Sequence, residues 1–341
     1  MATFRLIHIS DLHFSERPNA INPFVRAGGL RWPDIALFRH FKNAVWPSSF
    51  SPPLATHLSV YLDSVQQEID AVVATGDLAT TGNEADLKVA KDYFFRDSTE
   101  VVESLQSWLR FSSRRDPELP VFLMPGNHDR FQGFRCLPAG KSFEKVFGPS
   151  WDAGQGIVRY SSSSVKVVVL TKEREHLVVC LVDFSLKSKR HQTSGFGWLG
   201  QGKVYVNVLE ELGKLTQRVK RQVANVYIVW AIHFPPQHPN ERLELRLIDG
   251  KLIGPKAEAC GAGLIICGHV HEELIYRIGA SSGVQVVCAG SATSVESGSE
   301  HALFDLQFDL AKGKLAAGRA SKVCYDDIND EFRTYNSTPI Q

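Results

Sequence analysis

The chain has no Cys-x-x-Cys pair, no apolar run near the length of a membrane span and no excess of either charge. Each absence narrows the field. Without paired cysteines there is no thiolate zinc cage. The six cysteines are scattered, and Cys180, Cys267 and Cys288 sit inside apolar strand-like runs, where they read as small buried residues. At 341 residues a core forms without disulfides, so a reducing cytoplasm is the expected location. A membrane-crossing helix needs about 20 consecutive apolar residues, and none are found; no membrane partner is expected. The segment Met1-Ala2-Thr3-Phe4-Arg5 lacks the basic head and long apolar stretch of a signal peptide. Lysine and arginine total 38 against 37 aspartates and glutamates, a net charge of +1. That balance gives no global drive toward nucleic acid or anionic lipid, so nucleic acid is not a favoured partner. The basic run 187–190 is short and reads as a solvated loop, with phosphate contact the lesser reading. No internal repeat or low-complexity segment interrupts the chain.

What is present is a set of five short motifs in fixed order. They are Asp11-Leu12-His13, Gly76-Asp77, Gly126-Asn127-His128-Asp129, His233 and Gly268-His269-Val270-His271. Each follows an apolar run that reads as a strand: residues 4–9, 71–75, 121–124, 226–232 and 264–267. Singly, each motif is weak, because Gly-Asp marks turns and lone histidines are commonly structural. Together they offer seven candidate metal ligands, Asp11, His13, Asp77, Asn127, His233, His269 and His271, and one spare histidine, His128. Seven ligands exceed the needs of one zinc and suit two metals with a shared bridge, which in hydrolases lie roughly 3.5–4 Å apart. Mixed carboxylate, amide and imidazole donors suit Mn, Fe, Zn, Co or Ni rather than the all-oxygen shells of Ca and Mg. A two-metal site at a sheet edge, with phosphoester hydrolysis as its chemistry, is the expectation.

These motifs resemble those of the calcineurin-like metallophosphoesterase superfamily, which run Asp-x-His, Gly-Asp, Gly-Asn-His-Asp/Glu, His and Gly-His-x-His. The wording Ile9-Ser10-Asp11-Leu12-His13, Thr75-Gly76-Asp77-Leu78 with Gly82 following, Pro125-Gly126-Asn127-His128-Asp129-Arg130 and His233-Phe234-Pro235-Pro236 is similar to the class III cyclic-nucleotide phosphodiesterase-like branch. The resemblance extends from the first strand to Ser291. It implies an α/β fold, an αββα sandwich of two mixed sheets flanked by helices, with a dinuclear centre at the C-terminal edge of the strands. It implies two divalent or trivalent transition-metal ions, Mn, Fe or Zn. Asp11, His13 and His271 would hold the first, Asn127, His233 and His269 the second, and Asp77 would bridge them. A hydroxide between the ions would attack phosphorus in line.

The resemblance makes His128 the histidine outside the metal shell, contacting phosphate or protonating the leaving oxygen. Asp129 either orients His128 and favours its protonated form or caps the loop. Arg130 either grips phosphate with its guanidinium fork or is a solvated loop charge. His8 reads as structural, and His40, His57, His176, His191, His238 and His301 lack ligand partners at useful spacing.

Between the motifs, residues 54–69, 83–95 and 204–223 predict helices. The last is clearest, because Tyr205, Val208, Leu212, Leu215, Val219 and Val223 recur every three or four positions. Residues 165–170, 176–183, 274–278 and 284–288 predict antiparallel strands, and 304–310 alternates as a strand with one wet face. A single domain is expected over 1–328, with 329–341 a polar tail that frays. The stretch 14–53 is an aromatic, proline-rich insertion, with a short helix at 34–45. It is either a subdomain on the sandwich edge or a cap over the metals. The loop 131–142 is a second candidate wall.

Three functions follow. The leading one is a metal-dependent phosphoesterase cleaving phosphodiesters, with small nucleotides, cyclic ones included, as candidate substrates; a phosphomonoester stays open. A nuclease would need a groove of Lys and Arg tracking several phosphates. The resemblance also admits a non-catalytic protein-binding scaffold, as in the retromer subunit whose catalytic residues are lost. Every expected ligand is present here, so the scaffold ranks last. The Asp-Arg pair of the Ser/Thr protein phosphatases is absent from Gly76-Asp77-Leu78-Ala79-Thr80-Thr81-Gly82. The lipid A pathway hydrolases usually carry Arg where His128 stands.

Overall fold

The computed structural model describes residues 1–15, 51–95, 119–130, 142–148, 158–161, 164–185, 202–238, 246–279, 283–294 and 300–341. Residues 16–50 of the 14–53 insertion, including the helix expected at 34–45, residues 131–141 of the loop, the run 187–190, His40 and His191 lie outside them.

Two mixed sheets form the centre. In the first, β1 (Ala2–Ile9), β2 (Ala71–Ala74) and β3 (Val121–Leu123) are parallel neighbours. β13 (Ala302–Ala311) joins β1 antiparallel, followed by β14 (Lys314–Asp326) and β15 (Glu331–Pro339). The strand order is β15-β14-β13-β1-β2-β3. The second sheet has parallel strands β6 (Glu175–Val182), β8 (Val226–Ile232), β10 (Leu264–Cys267) and β12 (Val284–Cys288) at its middle. β11 (Leu274–Ile278) closes one edge, and β5 (Val165–Lys172) with β4 (Val158–Ser161) the other, all antiparallel. A short parallel pair, β7 (Gly202–Lys203) and β9 (Leu247–Ile248), stands apart.

Strand β8 shows why the layers stack as they do. Tyr227, Val229 and Ala231 point into the core shared with the first sheet. Ile228, Trp230 and Ile232 point the other way, into a second core under the helices Val206–Gln222 and Ile253–Cys260. A run with no polar residue is what a strand buried on both faces requires. The Val206–Gln222 helix lays Val208, Leu212 and Val219 on this face, and Trp230 Nε1 donates to Thr216 Oγ1 at 3.1 Å. Helices Pro52–Val65 and Glu84–Phe95 pack on the first sheet; Ser51 caps the former by accepting Leu54 N–H. The result is an αββα sandwich.

Two expectations need correction. β6 and β12 are antiparallel only to β5 and β11; toward the sheet centre they pair parallel with β8 and β10. The segment 329–341 is no frayed tail. Residues Glu331–Pro339 pair antiparallel with β14 across a turn where Asp326 accepts Ile328 N–H at 3.0 Å and Asn329 Nδ2 at 2.7 Å. Polar composition misled because this edge strand is mostly solvated on both faces: within it only Phe332 is buried, with Ile340 just beyond, and the pairing is carried by the backbone.

Candidate metal centre

Each motif sits where a strand ends. The chain leaves β1 at Asp11 and His13, β2 at Asp77, β3 at Asn127, β8 at His233 and β10 at His269 and His271. Five of these residues adopt the left-handed backbone region, Asp11, His13, Asp77, His269 and His271, with φ between 50° and 76°. Non-glycine residues there carry strain that the surroundings must hold. The loops are held backbone to backbone: Asp11 N–H donates to Gly76 O at 3.1 Å and His13 N–H to Asp77 O at 3.0 Å. They press together so closely that a Cβ on Gly126 would lie 2.1 Å from Asp77 Oδ1, so only glycine fits there.

Both carboxylates have one oxygen pinned and one aimed. Asp77 Oδ1 accepts His128 N–H at 2.8 Å, which turns Oδ2 toward His233 Nε2 at 3.3 Å and His128 Nε2 at 3.9 Å. Asp11 Oδ2 accepts His269 N–H at 2.8 Å, which turns Oδ1 toward His271 Nε2 at 3.3 Å and His13 Nε2 at 3.9 Å. His13 Nε2 and His271 Nε2 are 3.2 Å apart, and His233 Nε2 lies 2.9 Å from Asn127 Oδ1. Potential ligand atoms thus converge in clusters: Asp11, His13 and His271; Asp77, His233 and His269; and His13, Asp77 and His128.

Electrostatics test whether a cation fits. Burial lowers the His13 and His269 imidazoles to about 3, so both are neutral donors. Burial opposes ionisation of Asp11 and Asp77, yet the surrounding histidines hold both below the usual carboxylate range. Burial also opposes charge on His233, but Asp77 overrides it and lifts that ring to about 9. A proton on His233 serves that ring and the Asp77 carboxylate beside it. It leaves Asp11 Oδ1 and His269 Nε2 buried without a hydrogen bond. A cation among these atoms serves carboxylate, amide and imidazole together, with every ring neutral. The residues therefore fit two transition-metal ions.

His128 stands at the rim, its side chain 18% exposed against 1% for His13 and His233. Its Nδ1 lies 3.0 Å from Thr80 O, a contact in which Nδ1–H donates and Nε2 is turned to the cluster. His233 is oriented likewise by Thr75 O, 2.8 Å from Nδ1. These two carbonyls were not among the sequence candidates, because a backbone group leaves no residue-type signal.

Asp129 does not orient His128. Its buried carboxylate accepts the N–H groups of Gly126 at 2.8 Å, Ala79 at 2.9 Å and Leu78 at 3.2 Å, clasping two ligand loops. Burial, then Asp77, raises it to about 6 against those three bonds. Arg130 is neither a phosphate grip nor a solvated charge. It is 1% exposed, with Nη2 at 2.6 Å from Asp183 and Nη1 at 2.7 Å from Glu144, over the Phe143 ring. His8 is buried against Thr75 Oγ1, and His57, His176, His238 and His301 join none of the clusters.

The calcineurin-like phosphoesterase family profile matches residues 4–273, and the chain belongs to that family. Its members hydrolyse phosphoesters at a dinuclear metal centre, so the chain is read as a metallophosphoesterase. Among solved structures it is similar to a dimetal phosphatase from Danio rerio, at 13% identity, TM-score 0.51, with 99% of this chain and 98% of that chain covered. It is also similar to a purple acid phosphatase from yellow lupin seeds, at 12% identity and TM-score 0.52, covering 100% of this chain and 54% of that one. At these identities the likeness carries the fold. No curated protein matches the chain. Among the described residues no helix is long and apolar enough to cross a membrane.

Proposed function

We propose that this metallophosphoesterase cleaves small phosphodiesters, with nucleotides, cyclic ones included, as its substrate class. Asp11, His13 and His271 would hold one ion, Asn127, His233 and His269 the other, with Asp77 shared. Two such ions supply Lewis acidity, lowering the pKa of a water and offsetting charge on phosphate oxygens. The observation that carries the reading is His128: partly exposed at the rim, anchored through Nδ1 to Thr80 O, and with Nε2 facing the buried cluster. A diester's leaving alkoxide needs a proton, and an imidazole so placed delivers one. The local wording around Asp77 and His233 supports the same substrate class. Five described cysteines are free and buried, which supports a reducing compartment.

A phosphomonoester is the second reading, since both solved structures named above are phosphatases. Metal-stripped chain reloaded with Mn, Fe, Zn or Ni should cleave bis-p-nitrophenyl phosphate faster than p-nitrophenyl phosphate. The reverse preference would move the assignment to a monoesterase. Two bound ions without turnover on either ester would point to a substrate-selective enzyme, and failure to bind metal at all would move the scaffold reading to the front.

A further inference from the structure

The strained turn carrying Asp11 and His13 raises the question of what keeps it in place. Its backbone runs left-handed at Asp11 (φ 54°) and again at His13 (φ 53°). Three consecutive carbonyls, those of Asp11, Leu12 and His13, would otherwise face a dry interior, where an unpaired acceptor is costly. Each meets a hydroxyl. Ser291 Oγ donates to Asp11 O at 2.6 Å, Thr293 Oγ1 donates to Leu12 O, and Thr80 Oγ1 donates to His13 O. All three hydroxyl residues are buried.

The hydroxyls come from outside the ligand motifs. Ser291 and Thr293 follow β12 in the turn Gly290-Ser291-Ala292-Thr293. That turn is itself fixed: Ser291 Oγ accepts Ser294 N–H at 2.9 Å, and Thr293 O accepts Ser51 N–H at 2.8 Å, next to the helix Pro52–Val65. Thr80 follows the Asp77 loop, and its own carbonyl holds His128 Nδ1. The same residue thus fixes His13 through its side chain and His128 through its backbone.

We propose that Ser291, Thr293 and Thr80 form a hydroxyl clamp that positions Asp11 and His13 for the first metal, and that the clamp acts most strongly on this metal position. The carbonyls it holds belong to Asp11, Leu12 and His13, and the second position is reached at one remove, through Asp11 Oδ2, which accepts His269 N–H, and through His13 N–H, which donates to Asp77 O. The inference rests on the dinuclear reading above. Groups that orient metal ligands from behind typically change affinity 10–100-fold when removed, and a hydroxyl-for-methyl exchange at Thr293 removes one bond at constant shape.

The test is calorimetric titration of the metal-stripped full chain with Mn2+ alone, for the wild type, Thr293→Val, Ser291→Ala and Thr293→Ser, with His271→Ala as reference for loss of the first position. The wild type should take up two ions. Thr293→Val should bind one ion as the wild type does and the other about 10–100-fold more weakly, the pattern of a partial His271→Ala. Thr293→Ser, which restores the hydroxyl, should recover both. Ser291→Ala carries the same test should Thr293→Val not fold. Two ions bound with wild-type affinities in both deletion variants would overturn the clamp, and so would equal weakening of both positions. A wild type that binds fewer than two ions would overturn the dinuclear reading itself, a different outcome from either.

Discussion

Five ligand residues sit in a backbone region that costs about 1–3 kcal/mol per non-glycine residue. The compensation lies in pinned atoms: one oxygen of Asp11 and one of Asp77 are taken by backbone N–H groups, so the other oxygen has a single direction. His128 meets the Thr80 carbonyl through Nδ1, packs edge-on against the His13 ring and reaches solvent. Its removal should therefore leave the metals in place. His128→Ala should retain both ions by metal analysis and lose about 10²–10⁴ in turnover on an alkyl phosphate ester, whose leaving group needs a proton. Full activity on that ester would show that His128 is not the acid. The residue types of the ligands were legible in the sequence because a metal demands them at strand ends. Thr75 O and Thr80 O were not, since a carbonyl belongs to every residue, and Asp129 stayed open between orienting His128 and capping the loop, because an acid beside a histidine looks the same whether it faces the ring or three backbone amides.

Among elements, the runs buried on both faces were read to the residue: β8 and β10 match their apolar stretches end to end. The helix Ile253–Cys260 escaped because eight residues starting Ile253-Gly254-Pro255 show little period. β14 escaped because Ala316, Ala317, Gly318 and Ala320 give almost no contrast between faces. β15 escaped because only Phe332 and Ile340 mark its inner side. Deleting residues 329–341 removes that burial and should cost about 3–6 kcal/mol, from roughly 1.5–3 kcal/mol per buried apolar side chain. A thermal midpoint unchanged by the deletion would mean that the segment frays after all. Arg130 makes the second prediction at this scale. It joins the end of the β3 loop to Asp183 at the end of β6, which is fully buried. Arg130→Met leaves that carboxylate without the guanidinium, with Ser185 N–H and Oγ still donating to Oδ1, and should cost about 3–5 kcal/mol in denaturant unfolding. The variant's KM for a diester should hardly move; a large KM rise with stability intact would mean that the guanidinium grips substrate.

Across the whole molecule, the ligands are divided between the sheets. Asp11, His13, Asp77 and Asn127 come from loops of the first, and His233, His269 and His271 from loops of the second. Each proposed ion takes ligands from both: Asp11 and His13 with His271, and Asn127 with His233 and His269. Bound metal therefore staples two layers whose shared core is otherwise apolar. A ligand that binds only the folded state stabilises it by mass action, about 2.7 kcal/mol at a hundredfold excess over its dissociation constant. Chelation with EDTA should lower the unfolding midpoint, and Mn2+ or Zn2+ should restore it. Asp77→Asn removes the charge shared by both positions, so it should blunt the response to metal; because the surrounding histidines stabilise the Asp77 carboxylate, the chelated variant's midpoint should lie at or below that of chelated wild type. The comparison separates a staple from a general salt effect. Mg2+ at equal ionic strength should do little, because a nitrogen-rich shell does not suit it. Equal recovery with Mg2+, or an Asp77→Asn protein that responds like the wild type, would mean that the sheets are held by their apolar core and by ion pairs such as Arg130–Asp183 and Lys172–Asp70, and that the cluster binds metal without joining the layers.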